Sequence, residues 1–240
     1  MMTDDSQQAN MDGPVTVQRG KDFGSRKMEL IQLVAGRKAG DGKDTSSATL
    51  MRTPTTTVVI DTGSEGAREE LLQSIHRIDL NVEKVNVMVA TRIDPLFNGN
   101  DDIFVNALQH LKKDEWSLVP PGPRRKIAIT DRFHWIDRYL KLEVINHPEP
   151  GNLVLLLHVP KKEELLAQSA VGFAGKIIGI SGPCIASEED PEIASILKGL
   201  REKGRTMRFG QTFDITNREE LLQYCDYIIP AFGPMFEVIP

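Results

Sequence analysis

Seven histidine and cysteine side chains in this 240-residue sequence can ligate a metal ion or act as base or nucleophile near neutral pH: His76, His110, His134, His147, His158, Cys184 and Cys225. Imidazole is the side chain whose ordinary pKa lies closest to neutrality, and the thiolate is the reactive form of cysteine. Spacing decides which chemistry is open to them. No HExxH, GxSxG, GxxxxGK[ST] or GxGxxG occurs, so zincin, serine-hydrolase, P-loop and Rossmann readings lack their motif. Two cysteines without a CxxC cannot build a disulfide framework and suit a reducing compartment. His76 falls on the polar side of an expected helix, His110 near the end of another, and His158 in an apolar strand. His134 lies in the aromatic and basic run 131–138, and His147 opens the turn His147-Pro148-Glu149-Pro150-Gly151-Asn152.

The elements that must position these groups alternate short strands with helices. Residues 28–34, 48–51 and 57–60, with Val15 and Val17 before them, are β-rich segments separated by turns such as Ala39-Gly40-Asp41-Gly42, an antiparallel opening. From Ser64 the period changes. Ala67, Leu71, Leu72, Ile75 and Ile78 recur at helical spacing, with Ser64 placed to cap the first turn. Residues 85–90 are a continuous apolar run, which predicts a strand covered on both faces. Ile103, Phe104, Ala107, Leu108 and Leu111 share one helical stripe, so 101–113 reads as a helix, ended by the loop Val119-Pro120-Pro121-Gly122-Pro123. Residues 139–145, 153–159, 176–180 and 227–229 supply further strands. Asp190 before Pro191 starts a helix, and Thr216 with Glu219 forms a capping box opening another that runs to Tyr224. No internal break looks like a linker. The expectation is one α/β domain over 14–240, behind a polar tail at 1–13 that should be disordered.

Two of these segments carry more than periodicity. Thr57-Val58-Val59-Ile60-Asp61-Thr62-Gly63 leads through a helix and the strand 85–90 into Thr91-Arg92-Ile93-Asp94-Pro95-Leu96-Phe97-Asn98-Gly99-Asn100. That order resembles the metallo-β-lactamase fold superfamily, in which a strand ending in Asp-x-Gly, a helix and a second strand run into T-H-x-H-x-D-H-x-G-N. Thr91, Pro95, Gly99 and Asn100 match the frame of the motif, while Arg92, Asp94, Leu96 and Phe97 stand at its His, His, Asp and His places. Leu142-Glu143-Val144-Ile145-Asn146-His147-Pro148 is similar to the segment carrying T-P-G-H-T, and His147 keeps that histidine. Ile180-Ser181-Gly182-Pro183-Cys184-Ile185 is similar to the A-G-D-L-F segment, with Pro183 at the bridging aspartate. Residues 227–238 are similar to the closing V-P-G-H-G-P-x-F-x-V, with Phe232 at the last histidine. This closing block, with Glu188-Glu189-Asp190 before a helix, is most similar to the metallo-β-lactamase domain-containing protein 1 group.

The resemblance implies a four-layer αββα sandwich and, in active relatives, a zinc pair held by His and Asp that generates hydroxide. It also implies loss of that site here. Leu96, Phe97, Pro183 and Phe232 offer no ligand atom, and Arg92 brings a permanent positive charge. The expectation is therefore an inactive homologue with no catalytic residue and no cofactor, binding a protein or small ligand through the old cleft. The alternative is a metal-dependent hydrolase, of nuclease type for example, with a remodelled mononuclear zinc site at Asp94, His147 and Cys184. Against it, Cys184 is one residue beyond the matched aspartate, and Asp94 can pair with Arg92. The plainer roles are a turn histidine and a small buried hydrophobe.

Two further features could contact partners. Arg124-Arg125-Lys126 could hold phosphate or an acidic partner, although short basic runs are more often only solvated. Phe133 and Trp135 among arginines have the composition of an interaction hot spot, or else pack a loop over the old cleft. With 34 acidic residues against 29 basic ones, the net charge of −5 argues against a dedicated nucleic-acid binder. At 40% hydrophobic the chain can bury a full core, yet no apolar run approaches membrane-spanning length. The first residues lack the apolar region of a signal peptide, so a cytoplasmic or nuclear location is expected.

Overall fold

A computed structural model describes residues 28–40, 43–112, 125–137, 140–146, 153–159, 175–205 and 215–239. Val15, Val17, the 1–13 tail, the proline-rich loop, Arg124 and His147 lie outside the described residues. The chain opens as a sheet of six strands in sequence order: β1 (Glu29–Val34), β2 (Ala48–Arg52), β3 (Thr57–Ile60), β4 (Val87–Val89), β5 (Leu108–Lys112) and β6 (Lys126–Ile129). β1, β2 and β3 pair antiparallel because short reversals join them. In the second reversal the Thr53 hydroxyl accepts from the Thr55 and Thr56 amides at 3.2 and 2.9 Å. From β3 onward pairing is parallel, as it must be once helix α1 (Arg68–Arg77) forms the crossover from β3 to β4.

A second sheet runs in the order β12-β11-β10-β9-β8-β7 and contains β7 (Phe133–Trp135), β8 (Lys141–Asn146), β9 (Leu153–His158), β10 (Ile177–Ile180), β11 (Tyr227–Ile229) and β12 (Phe236–Glu237). Its one parallel pair, β10 with β11, is joined by helices α3 (Pro191–Lys203) and α4 (Arg218–Tyr224). Alternation sorts each strand between two cores. Val58, Ile60, Val87 and Val89 meet Leu142, Val144, Leu155 and Ile178 between the sheets. Val154, Leu156 and Ile228 turn outward under α3 and α4, while Leu50, Val59 and Met88 turn outward under α1. Apolar runs such as 153–157 are continuous because both faces of these strands are covered. At about 1.5–3 kcal/mol for each fully buried side chain, that strand alone is a large part of the driving force. The result is the expected four-layer αββα sandwich. Among the described residues no helix is long and apolar enough to cross a membrane.

Several local expectations are corrected. The helix expected over 101–113 is a 3-10 turn, Asp101–Ile103, followed by strand β5. Its apolar stripe is real but is spent differently: Phe104 and Ala107 pack beneath α1, and Leu108 pairs with Val87. Ser64 makes no side-chain cap, and α1 instead follows a 3-10 turn, Glu65–Ala67. The capping pair of α4 is shifted by one residue, with Asn217 accepting from the Glu220 amide at 2.9 Å while the Glu220 carboxylate accepts from Thr216. Of the described residues of the basic run, Arg125 precedes β6 and Lys126 opens it, and Phe133 and Trp135 belong to edge strand β7.

Candidate functional site

The matched segments other than 142–148, whose His147 lies outside the described residues, meet at the end of the sandwich where β3, β4, β10 and β11 terminate. Leaving β3, Asp61 adopts a left-handed φ of 52°, uncommon for a residue other than glycine. Its buried carboxylate accepts from the Thr91 amide at 2.8 Å and the Thr91 hydroxyl at 2.6 Å, tying the β3 and β4 exits together. Asn100 extends the tie, its side-chain amide donating to the Thr62 and Ser64 carbonyls at 3.0 and 2.6 Å. Gly99 is required by closeness: a Cβ there would stand 2.3 Å from the Glu65 amide nitrogen. Gly182, at φ +50°, rests against Thr91, whose hydroxyl would be 2.7 Å from an added Cβ. The Leu153 amide donates to the Thr91 carbonyl at 2.9 Å, bringing in β9. The frame residues thus act as loop clamps, a role independent of any metal.

The other matched positions sit on this frame. Asp94 caps the short helix α2 (Pro95–Asn98), its Oδ1 accepting from the Leu96 amide at 2.9 Å. Its Oδ2 lies 3.8 Å from Arg92 Nε, both side chains being partly exposed. Phe97 is buried and Leu96 half-buried, with the Leu96 carbonyl accepting from the Ser46 amide at 3.3 Å. Pro183 is half-buried in a 3-10 turn, while Cys184 is 1% exposed and packs with Ile193 and Leu197 of α3 in the outer core. Phe232 donates its amide to the Ala186 carbonyl at 2.7 Å, and Lys38 Nζ stands 5.1 Å above its ring. The connection between β1 and β2 closes the side. The Gln32 side-chain amide donates to Ser47 Oγ and the Gly233 carbonyl, each at 3.0 Å, and its oxygen accepts from the Met235 amide at 3.0 Å. Among the described residues no group of three or more His, Cys, Asp or Glu side chains is placed to hold a metal ion.

The remaining histidines form two clusters that the sequence left unjoined, while His76 is exposed on α1. His110, on β5 rather than on a helix, and His134 of β7 meet between the sheets with Nδ1 and Nε2 2.7 Å apart. Burial, aided by the neighbouring His134, pushes His110 down to about 4, and burial also lowers His134 against the pull of Asp131. Nε2 of His110 is buried with no hydrogen-bond partner among the described residues. On the outer face, buried Glu143 receives Arg132 Nε at 2.8 Å and His158 Nε2 at 2.7 Å. Burial alone would raise the Glu143 carboxyl. The hydrogen bonds from His158 and Arg132, with their charges, outweigh it and hold the group below the usual carboxylate range. The only advance signal for this cluster was the charged residue inside the apolar alternation of 141–146.

No protein-family model matches the chain, and no curated protein is similar enough in sequence to match it. Solved structures do match it. A protein of Thermotoga maritima assigned to the metallo-β-lactamases superposes with a TM-score of 0.62 at 14% identity, covering 88% of this chain and 99% of its own. A B3 metallo-β-lactamase with an active-site glutamic acid gives 0.54 at 14% identity, over 87% and 79%. A substituted form of a Cronobacter sakazakii metallo-β-lactamase with an HARLDQ motif gives 0.51 at 12% identity, over 84% and 76%. The fold of this chain is the metallo-β-lactamase fold.

Proposed function

We propose that this chain is a metallo-β-lactamase-fold protein with a dismantled metal site, a non-catalytic relative of the metallo-β-lactamase domain-containing protein 1 group that acts by binding a protein or ligand. The observation that carries the reading is the state of Asp94. It is the only oxygen donor among the four matched positions after β4, and it is already engaged, capping α2 with one oxygen and facing the Arg92 guanidinium with the other. At the other matched positions the side chains of Leu96, Phe97, Pro183 and Phe232 have no donor atoms, so the described residues do not fit a zinc pair. Without that ion no hydroxide is generated at neutral pH by the family's chemistry. A cytoplasmic or nuclear location belongs to the same proposal.

The competing reading, a mononuclear zinc hydrolase at Asp94, His147 and Cys184, asks Cys184 to leave the apolar cluster beneath α3. Metal analysis of the full chain after incubation with excess zinc and gel filtration separates the two. The expected result is substoichiometric zinc and no hydrolysis of β-lactam, thioester or phosphodiester test substrates. Stoichiometric zinc and a hydrolase activity, both abolished by His147→Ala, would overturn the proposal.

A further inference from the structure

We propose that the contact between His110 and His134 is an acid-released latch, which lets the two sheets part at their β6 and β7 edges as pH falls while the opposite side of the sandwich stays closed. The rings meet nitrogen to nitrogen, His110 Nδ1 at 2.7 Å from His134 Nε2, so the space between them holds a single proton. A second cannot enter. His110 Nε2 is buried with no hydrogen-bond partner among the described residues, and an imidazolium carries a donor on each nitrogen. Protonated in place, His110 would turn one N–H toward no acceptor and the other toward a ring that accepts only while neutral. A buried charge left in that state costs more than separating the rings and wetting them.

The surroundings offer the charge little relief. His110 lies beside Val89 of β4 and Ile127 of β6, and His134 lies beside Leu142 of β8. Val89 and Leu142 belong to the apolar core between the sheets. The charged residues of the same strands alternate to the outer faces: Lys126 on β6, and on β8 Lys141 and Glu143, the latter bonded to Arg132 and His158. Lys112, in register with Ile129 further along β5, is a cation and adds no acceptor. Asp131 alone pulls His134 toward the charged form, and burial outweighs it.

The side that would open is the less firmly tied. β6 and β7 are short strands of four and three residues that end their sheets, and Ile127 beside the latch is already 37% exposed. On the opposite side main chain meets main chain: Gly36 bridges Gly233, and the Ser47 amide donates to the Ala231 carbonyl at 2.8 Å. The Gln32 side chain joins Gly233 and Met235 there as well. None of these groups titrates near neutrality. Asp137, accepting from the Thr53 and Thr55 hydroxyls at 2.6 and 2.7 Å, anchors the turn after β7 and confines the opening to the strands. Edges of this kind open as local units without global unfolding.

The test is hydrogen exchange of the full chain at pH 7 and pH 5, corrected for the intrinsic pH dependence of exchange and read by mass spectrometry. Opened rings titrate near 6.5 and the closed His110 at about 4, so the open population should rise about twentyfold between those two conditions. Protection should fall by that factor over 108–112, 126–129 and 133–135, and hold over 29–34, 48–52 and 227–229. At pH 5 the Glu143 carboxyl, held below the usual range, stays ionised, so its network is not what gives way. His110→Leu should remove the pH dependence. If that variant does not fold, the ring nitrogens of the unaltered chain followed by NMR decide instead, since a His110 titrating at the ordinary value would overturn the proposal. So would equal loss of protection on both sides of the sandwich, no loss at all, or the same loss in His110→Leu. The latch does not depend on the state of the metal site, and zinc binding would leave it standing.

Discussion

Asp94 shows how a residue can stay useful after its neighbours change. A cap needs an oxygen to receive the amide of α2, and asparagine supplies one as well as aspartate does. Asp94→Asn should therefore cost only a few tenths of a kcal/mol, and Asp94→Ala about 1 kcal/mol, read as shifts of the urea midpoint. Equal losses for both variants would show that the carboxylate charge, not the cap, is what matters. The Arg92 contact adds little to this balance, because a half-exposed pair at 3.8 Å is worth at most about 1 kcal/mol.

Glycines separate the loops from the helices. At Gly99 an added Cβ would strike main-chain nitrogen, which cannot swing aside, whereas at Gly199 in the middle of α3 nothing lies within 4 Å. Gly99→Ala should destabilise by about 2 kcal/mol or more, and Gly199→Ala should stabilise by about 0.5–1 kcal/mol. Thermal melts of the two variants moving in the same direction would contradict the described packing. The elements readable beforehand were those whose pattern reports covered faces, such as β3 and β9. β5 hid because its polar residues are buried: Gln109 donates to Asp101 at 2.9 Å, and His110 meets His134 from the facing sheet. β7 hid because its aromatics are exposed, so they mark no core face. At the site, the clamps Thr91, Gly99 and Asn100 stood out in the motif. The carboxylate network around Glu143 did not, because its three members come from β8, β9 and the residue before β7, brought together only by sheet register.

Across the whole molecule, the contact of His110 with His134 joins the two sheets near their β6 and β7 edges. A histidine held at about 4 when folded and near 6.5 when unfolded favours the folded state fully above about pH 6.5. That contribution, on the order of 3 kcal/mol, is lost progressively as pH falls toward 4. The melting temperature should be flat from pH 8 to 7 and fall between 6.5 and 4.5, and His110→Leu should flatten that fall. Glu143 acts with the same sign, its contribution being lost as pH falls from the ordinary carboxylate value toward its lowered one, so it overlaps only the acid end of this window. An unchanged slope in His110→Leu would rule out the histidine pair as its source.

Gln32 sits in the first strand, yet two of its three partners, Gly233 and Met235, come 201 and 203 residues later. During synthesis the β1–β2 hairpin leaves the ribosome long before those groups exist, and its side-chain amide, 3% exposed in the finished protein, must stay wet until they arrive. The first strand is therefore tied to the closing stretch of the chain only at the end of synthesis. Nascent chains stalled before residue 233 should carry an incompletely closed sandwich, and their vulnerability to proteases should end only when that closing stretch has emerged.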